Sequence, residues 1–140
     1  MDRLKKTLQE ATELLRDQAA NLGEGAREKS YQVIDEWLQV FPQLEIYGLE
    51  ITSFALSVAI SPALEVEMLG KHEDFTEERI NRIIQDNRGS TAIASVMNTV
   101  KTTYALHRKI YANLQDPLIV KIRIRLSPEI KVYIGKPVIE

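Results

Sequence analysis

Three residues with hydrogen-bonding side chains follow a helical spacing in the second half of the chain: Tyr104, His107 and Tyr111. Residues three and four positions apart lie on one face of an α-helix, so these phenol and imidazole groups should point the same way. They are candidates for the polar part of a ligand pocket. The alternative is a buried helix face in which each polar atom has a hydrogen-bond partner, and we favour this second interpretation.

A second candidate is an anion site at the start of a helix, where Arg88 and Ser90 flank Gly89. Free backbone amides at a helix N-terminus attract anions, and the arginine would add positive charge. Nearly every helix has a capping residue, however, and no Walker or dinucleotide-binding glycine pattern accompanies this one. We therefore predict that Ser90 caps the helix, and phosphate binding is the less favoured alternative.

Four cationic side chains, Lys121, Arg123, Arg125 and Lys131, alternate with apolar residues and should share one face of two strands. Such a basic face is a candidate surface for nucleic acid or lipid headgroups. The chain as a whole has a net charge of −2, and only Tyr133 offers a ring on which bases could stack. We therefore favour a solvated or salt-bridged sheet face and predict no nucleic-acid partner.

Groups suited to catalysis or metal binding are sparse in this chain. Glu65 and Glu67 share a strand face as paired acids would, but no base or nucleophile accompanies them. His72, Glu73 and Asp74 form a polar loop that lacks a full set of metal ligands. The absence of cysteine excludes disulfides, thiolate-bound zinc, iron–sulfur clusters and cysteine nucleophiles. We predict no metal and no cofactor, and an enzyme is the third-ranked functional class.

These residues belong to one chain of 140 residues, a length that predicts a single domain, 1–140, with one core. The small net charge conceals an asymmetry along this chain. Residues 42–78 carry one lysine and eight acids, whereas residues 79–136 carry eleven lysines and arginines and three acids. Blocks of opposite charge can pair within a fold or across a subunit interface.

Three helices follow from the spacing of apolar residues. The first covers 26–41 and should end before Pro42, because the residue preceding a proline avoids the helical conformation. A connecting helix is predicted over 75–88. The third, over 91–114, has the widest apolar face and should be the central buried helix.

Alternating apolar residues predict two pairs of strands, each interrupted by a Ser-Pro dipeptide, at 61–62 and at 127–128. The two regions match at a fixed offset of 66 residues, and each follows a helix. We interpret this as an internal duplication of a helix–hairpin unit, over 26–70 and over 90–138.

The predicted fold class is α+β, with two layers: a mainly antiparallel four-stranded sheet and helices on one of its faces. If Ser61, Pro62 and Ala63 form a turn, Ile60 opposes Leu64 across the first hairpin. A kinked continuous strand at each Ser-Pro dipeptide is the alternative. Adjacent hairpins would place the two glutamates of the first opposite lysine or arginine of the second.

Residues 1–22 predict an additional amphipathic helix that could protrude from this domain. Its seam positions recur at spacings of three and four, at Leu4, Leu8, Ala11, Leu15, Gln18 and Leu22. We call the leucines among them the leucine seam: Leu4, Leu8, Leu15 and Leu22. Such a stripe packs against another helix, in the same chain or in a second copy. Peripheral membrane contact is less favoured, because the polar side mixes acids with bases and no aromatic residue lies opposite.

No apolar signal-peptide stretch follows the charged N-terminus, and the longest weakly polar run, 51–64, is too short to span a bilayer. We expect a soluble cytoplasmic protein without a transmembrane segment. The leading hypothesis is a non-enzymatic structural or protein-interaction module that self-associates, most simply as a dimer. The alternative is a binding module for an apolar or anionic small molecule, with its pocket between helix 91–114 and the sheet.

Overall fold

The computed structural model describes residues 26–58 and 62–138, which form three α-helices and one four-stranded sheet. The elements are α1 (Ala26–Ile46), β1 (Glu50–Val58), β2 (Pro62–Gly70), a short 3-10 helix (His72–Asp74), α2 (Glu77–Asp86), α3 (Thr91–Lys109), β3 (Leu118–Ile124) and β4 (Pro128–Ile134). The predicted α+β class is confirmed. The predicted N-terminal helix and its leucine seam lie outside the described residues.

The four strands form an antiparallel sheet in the order β1-β2-β3-β4, so each strand pairs with its neighbour in the chain. Alternate side chains of the two central strands point towards the helices and are buried, as the period-two pattern predicts. They are Leu64, Val66 and Met68 in β2 and Val120, Ile122 and Ile124 in β3.

All three helices lie on this one side of the sheet and supply the rest of the core. Ile34 and Phe41 of α1, Ile80 of α2, and Ile93 and Met97 of α3 are all buried. Burial of each such side chain stabilises the fold by about 1.5–3 kcal/mol. None of the helices within the described ranges is long and apolar enough to cross a membrane.

The first helix continues through Pro42 to Ile46, so the predicted end before the proline is wrong. An interior proline removes one helix hydrogen bond and costs roughly 3 kcal/mol. The additional turn places Leu44 in the core with no exposed surface. Burying a leucine stabilises by about 1.5–3 kcal/mol, which offsets most of the cost of the proline.

This helix ends instead at Ile46, and the turn that terminates it contains Gly48, which has a φ of +113°. The Leu49 N–H donates to the Leu44 carbonyl at 3.1 Å, and the Gly48 N–H donates to the Glu45 carbonyl at 3.0 Å. This pair of bonds is a Schellman motif, and its left-handed residue is typically glycine. The turn reverses the chain into β1.

The third helix ends at Lys109, not at residue 114 as the apolar spacing predicts. Its 19 residues already span about 28 Å. The strand that it contacts, β4, has seven residues and spans about 23 Å, so the last turn of the helix already extends past this strand, where Leu106 is exposed. Tyr111, with a φ of +55°, turns the chain away from the helix axis.

Both Ser-Pro regions are hairpins rather than kinked strands, but each turn comes earlier than predicted. Leu64 pairs with Leu56 rather than with Ile60, and Pro62 pairs with Val58. In the second hairpin Pro128 pairs with Ile124, which is the equivalent position at the offset of 66 residues. Each proline begins a strand, a position that requires no hydrogen bond from its nitrogen. Because the shift is even, every side chain keeps its predicted face.

Candidate functional site

Of the three residues of the first candidate pocket, two lie on α3 and Tyr111 lies beyond its end. Tyr104 is buried and only 9% exposed, and His107 is half-buried. Tyr111 lies beyond the end of α3 and is 94% exposed. Its expected place on the buried face of a longer helix is therefore wrong, since the helix ends two residues before it.

The partner of Tyr104 is His72, which the sequence suggested only as a weak metal ligand. The His72 Nδ1 lies 2.6 Å from the Tyr104 hydroxyl, and its Nε2 lies 2.6 Å from the Gln115 carbonyl. A carbonyl oxygen can only accept, so Nε2 carries the proton, and Nδ1 of the neutral ring accepts from the phenol. Both ring nitrogens are thereby satisfied.

The ionisation of Tyr104 is strongly disfavoured at this position. Burial, together with a smaller effect of the negative charge of Asp116, raises the pKa of the Tyr104 phenol to about 12. The Asp116 carboxylate lies 3.7 Å from Nε2 of His72. A phenol with such a pKa stays protonated near neutral pH, so it is a poor general base there.

A groove of about 180 Å³ opens beside this pair, between α2, α3 and the 3-10 helix. Small-molecule sites typically enclose roughly 300–1,000 Å³. Lys101, one of the two cations on its wall, already donates to Asn81 Oδ1 at 2.8 Å. The residues that line it are His72, Phe75, Thr76, Glu77, Ile80, Lys101, Tyr104, Arg108 and Leu114. The hydrogen bonds of His72 to Tyr104 and to Gln115 join three segments of the chain, and this indicates a structural role for the three residues.

The second group of predicted site residues lies on the sheet face away from the helices, which we call the open face. Glu65 pairs with Arg123 in the β2–β3 register, and their side chains meet at 3.2 Å. Glu67 pairs with Lys121 in the same way, at 3.9 Å. The predicted pairing of the glutamates with the basic strand is confirmed. Exposed pairs of this kind contribute about 0.2–1 kcal/mol each.

The remaining cations of the open face differ in their surroundings. Lys131 lies 3.7 Å from Glu129, and Lys121 also lies 5.2 Å from the centre of the Tyr133 ring. Arg125, next to the β3–β4 turn, forms no ion pair with any described residue. Three of the four predicted basic residues therefore have an acidic partner, and an anionic strand laid on this face would meet carboxylates as well as cations.

The residues of the candidate anion site at 88–91 include the N-terminal cap of α3, which is Ser90. The Ile93 N–H donates to Ser90 Oγ at 3.2 Å, as predicted for a capping serine. Arg88 is exposed and takes no part in this bond. Within the described part of the chain, no three histidine, aspartate or glutamate side chains are grouped so that they could hold a metal ion.

A feature that the sequence analysis missed is the difference between the two edge strands. Residues 52–58 of β1 contain no charge, proline or glycine, and all but the partly buried Phe54 are exposed. Strand β4 carries Pro128, Glu129 and Lys131. Proline and charge are the usual means by which an edge strand avoids pairing with another chain, so β4 is protected and β1 is not. Single-sequence reasoning could have found this contrast only after the strand order was known.

No protein-family model matches this chain. A search of curated proteins and a search of solved structures also gave no match. The functional assignment therefore rests on the geometry of the chain's own residues.

Proposed function

We propose that this protein is a non-enzymatic structural or interaction module that self-associates, most simply as a homodimer, through edge strand β1. The observation that carries the proposal is the exposed, uncharged stretch 52–58 at the edge of the sheet. An edge strand presents unpaired backbone N–H and C=O groups, which a second strand can satisfy. A two-fold pairing of β1 with β1 of a second copy would produce one continuous eight-stranded sheet.

The side chains of β1 suit such a pairing. Leu56 and Val58 point towards the helix side but remain partly exposed, because α1 covers mainly the central strands. In an antiparallel pair of β1 strands, Leu56 and Val58 of one copy would contact Leu56 and Val58 of the second copy. Ser53, Ala55 and Ser57 on the open face are small, so no like charges would meet. A bulge between Ile51 and Ser53 limits the pairing to the stretch beyond it.

We propose that the leucine seam, which precedes α1 in the chain, takes part in the same interface. Leu4, Leu8, Leu15 and Leu22 would then add apolar surface to the contact between copies.

The internal duplication of the chain and the location of the module in the cell belong to the same proposal. The equivalent registers at Pro62 and Pro128 support an internal duplication of a helix–hairpin unit. In the first unit the edge strand β1 is open to pairing with another chain, whereas in the second unit proline and charge protect the edge strand β4 from such pairing. The module would act in the cytoplasm as a single domain that relies on protein contacts rather than on a metal or cofactor.

Sedimentation equilibrium of the intact chain and of two matched variants tests this proposal. Ser57→Lys introduces a charge into the exposed edge opposite Ala63, and Ser127→Lys introduces the same charge at the β3–β4 turn. We expect a dimer for the wild type and for Ser127→Lys. For Ser57→Lys we expect dimerisation to weaken by about ten-fold or more, or ~1.4 kcal/mol. A monomeric wild type would refute self-association, and a dimer that tolerates Ser57→Lys would refute the role of β1.

A further inference from the structure

The end of α3 and the segment after it expose an unusual number of large apolar side chains. We call residues 106–115 the α3 tip. Ile110 is 69% exposed and Tyr111 is 94% exposed, and every residue from 108 to 116 is exposed. The exposed apolar members are Leu106, Ile110, Tyr111 and Leu114. Concentrated exposure of this kind marks an interaction site more often than scattered apolar residues do.

The charged residues of the α3 tip, Arg108 and Lys109, are both basic. Residues 91–115 contain no aspartate or glutamate, and the first acid after them is the exposed Asp116. Arg108 and Lys109 are exposed, and neither forms an ion pair with a described residue. A basic residue in the last turn of a helix is favoured by the helix dipole. The dipole does not account for the apolar side chains beside the two cations.

We propose that the α3 tip docks on a lipid surface that carries anionic headgroups. Ile110 and Tyr111 would enter the boundary between headgroups and acyl chains, where a tyrosine ring keeps its hydroxyl in the wet layer. Arg108 and Lys109 would contact the headgroups while their aliphatic stems cover apolar surface.

The shape of the tip favours a lipid surface over a protein groove. Tyr111 is almost fully exposed at a chain reversal, so it projects from the fold instead of lining a concave surface. A deformable bilayer interface accepts such a projection without a preformed pocket, whereas a protein partner would need one. Two cations attract an anionic surface only weakly, so the proposal requires both the charged and the apolar residues.

The site is separate from the interface proposed for β1. It lies at the end of α3, which packs on β4, at the opposite edge of the sheet from β1. A dimer would present two tips, and simultaneous engagement of both would strengthen binding without any new contact. Docking of a single tip does not depend on self-association.

Vesicle co-sedimentation of the intact chain tests the proposal. The probes are vesicles of phosphatidylcholine alone and vesicles that also contain phosphatidylserine. We expect binding to the phosphatidylserine vesicles, with the partition coefficient reduced about ten-fold or more by the double variant Ile110→Ser/Tyr111→Ser. The variant Arg108→Gln/Lys109→Gln should lose the preference for phosphatidylserine. Leu126→Ser removes an exposed leucine at the β3–β4 turn and should bind like the wild type.

Two results would overturn the proposal. One is the absence of wild-type binding to phosphatidylserine vesicles. The other is equal binding by the wild type and by Ile110→Ser/Tyr111→Ser, which would assign any membrane contact to another part of the chain. Because these residues are exposed, the substitutions should leave the fold intact, and circular dichroism of each variant checks this.

Discussion

His72 Nδ1 lies 2.6 Å from the hydroxyl of Tyr104, and the same ring reaches the Gln115 carbonyl with Nε2 at 2.6 Å. His72 follows the first hairpin, Tyr104 belongs to α3, and Gln115 precedes the second hairpin. One imidazole therefore joins the two halves of the chain through three segments. The two rings also meet edge to face, with centres 5.6 Å apart. This contact should contribute to stability rather than to chemistry.

Removal of the phenol hydroxyl should destabilise the fold. Tyr104→Phe leaves Nδ1 of His72 without its donor in a side chain that is only 9% exposed. An unsatisfied buried polar atom costs about 1–3 kcal/mol, and we expect a loss of that size in the free energy of unfolding measured with urea. The control is Tyr111→Phe, because Tyr111 is exposed and should change stability by less than about 0.5 kcal/mol. Equal effects of the two substitutions would contradict this role.

The raised pKa of Tyr104 predicts a loss of stability at alkaline pH. In the unfolded chain the phenol ionises near its ordinary value of 10.0, whereas in the folded chain its pKa is about 12. Below pH 10 the Tyr104 phenol is protonated in both the folded and the unfolded state, and its full contribution to the free energy of unfolding is present. Between pH 10 and about 12 the unfolded state binds fewer protons, so stability falls as pH rises.

Urea unfolding across this pH range, compared with Tyr104→Phe, isolates that contribution from the ionisation of the lysines and the other tyrosines. The wild type should lose stability more steeply than the variant. Parallel stability curves for the two proteins would show that the phenol ionises normally in the folded state.

The cross-strand pair of Glu65 and Arg123 should give a small, salt-dependent coupling. Their atoms lie 3.2 Å apart, and both side chains are about half exposed. A double-mutant cycle with Glu65→Ala and Arg123→Ala should give about 0.2–1 kcal/mol in urea unfolding at low ionic strength. The coupling should decline in molar salt, because screening shortens the Debye length to about 3 Å. A coupling that is unchanged by salt would argue against an ionic interaction.

Two glycines allow a matched test of the close approach between Gly135 and Gln115. A Cβ at Gly135 would lie 2.8 Å from Gln115 Cβ, and the residue has a φ of +89°. Gly135→Ala should therefore cost about 1–3 kcal/mol of unfolding free energy. At Gly89 an added Cβ has no neighbour within 4 Å, so Gly89→Ala should be nearly neutral. If both alanine variants unfold at the same urea concentration, the claim that Gly135 is packed too closely against Gln115 to accept a Cβ is contradicted.

Features set by local patterns were predictable from the sequence. Alternation identified the buried faces of β2 and β3, and opposite charges predicted that Glu65 would face a cation of the second hairpin. The capping role of Ser90 followed from its position before an apolar helix. In each case the decisive interaction is between neighbours in the chain or between whole strand faces.

Features that depend on tertiary packing were not predictable in the same way. The passage of α1 through Pro42 depends on the burial of Leu44, and the end of α3 depends on the length of the strands beneath it. The role of His72 was missed because its partners lie 32 and 43 residues away, and no local spacing relates them. The unprotected edge of β1 became visible only with the strand order.

Hydrogen exchange of the backbone amides, measured over a range of protein concentrations, tests the proposed β1 interface most directly. Pairing between copies would protect the amides of residues 53–58 that point away from β2, and it would do so only when the dimer forms. We predict that protection of this stretch rises with protein concentration, whereas protection of β4 stays constant. Concentration-independent exchange in β1, or added protection confined to β4, would contradict the account.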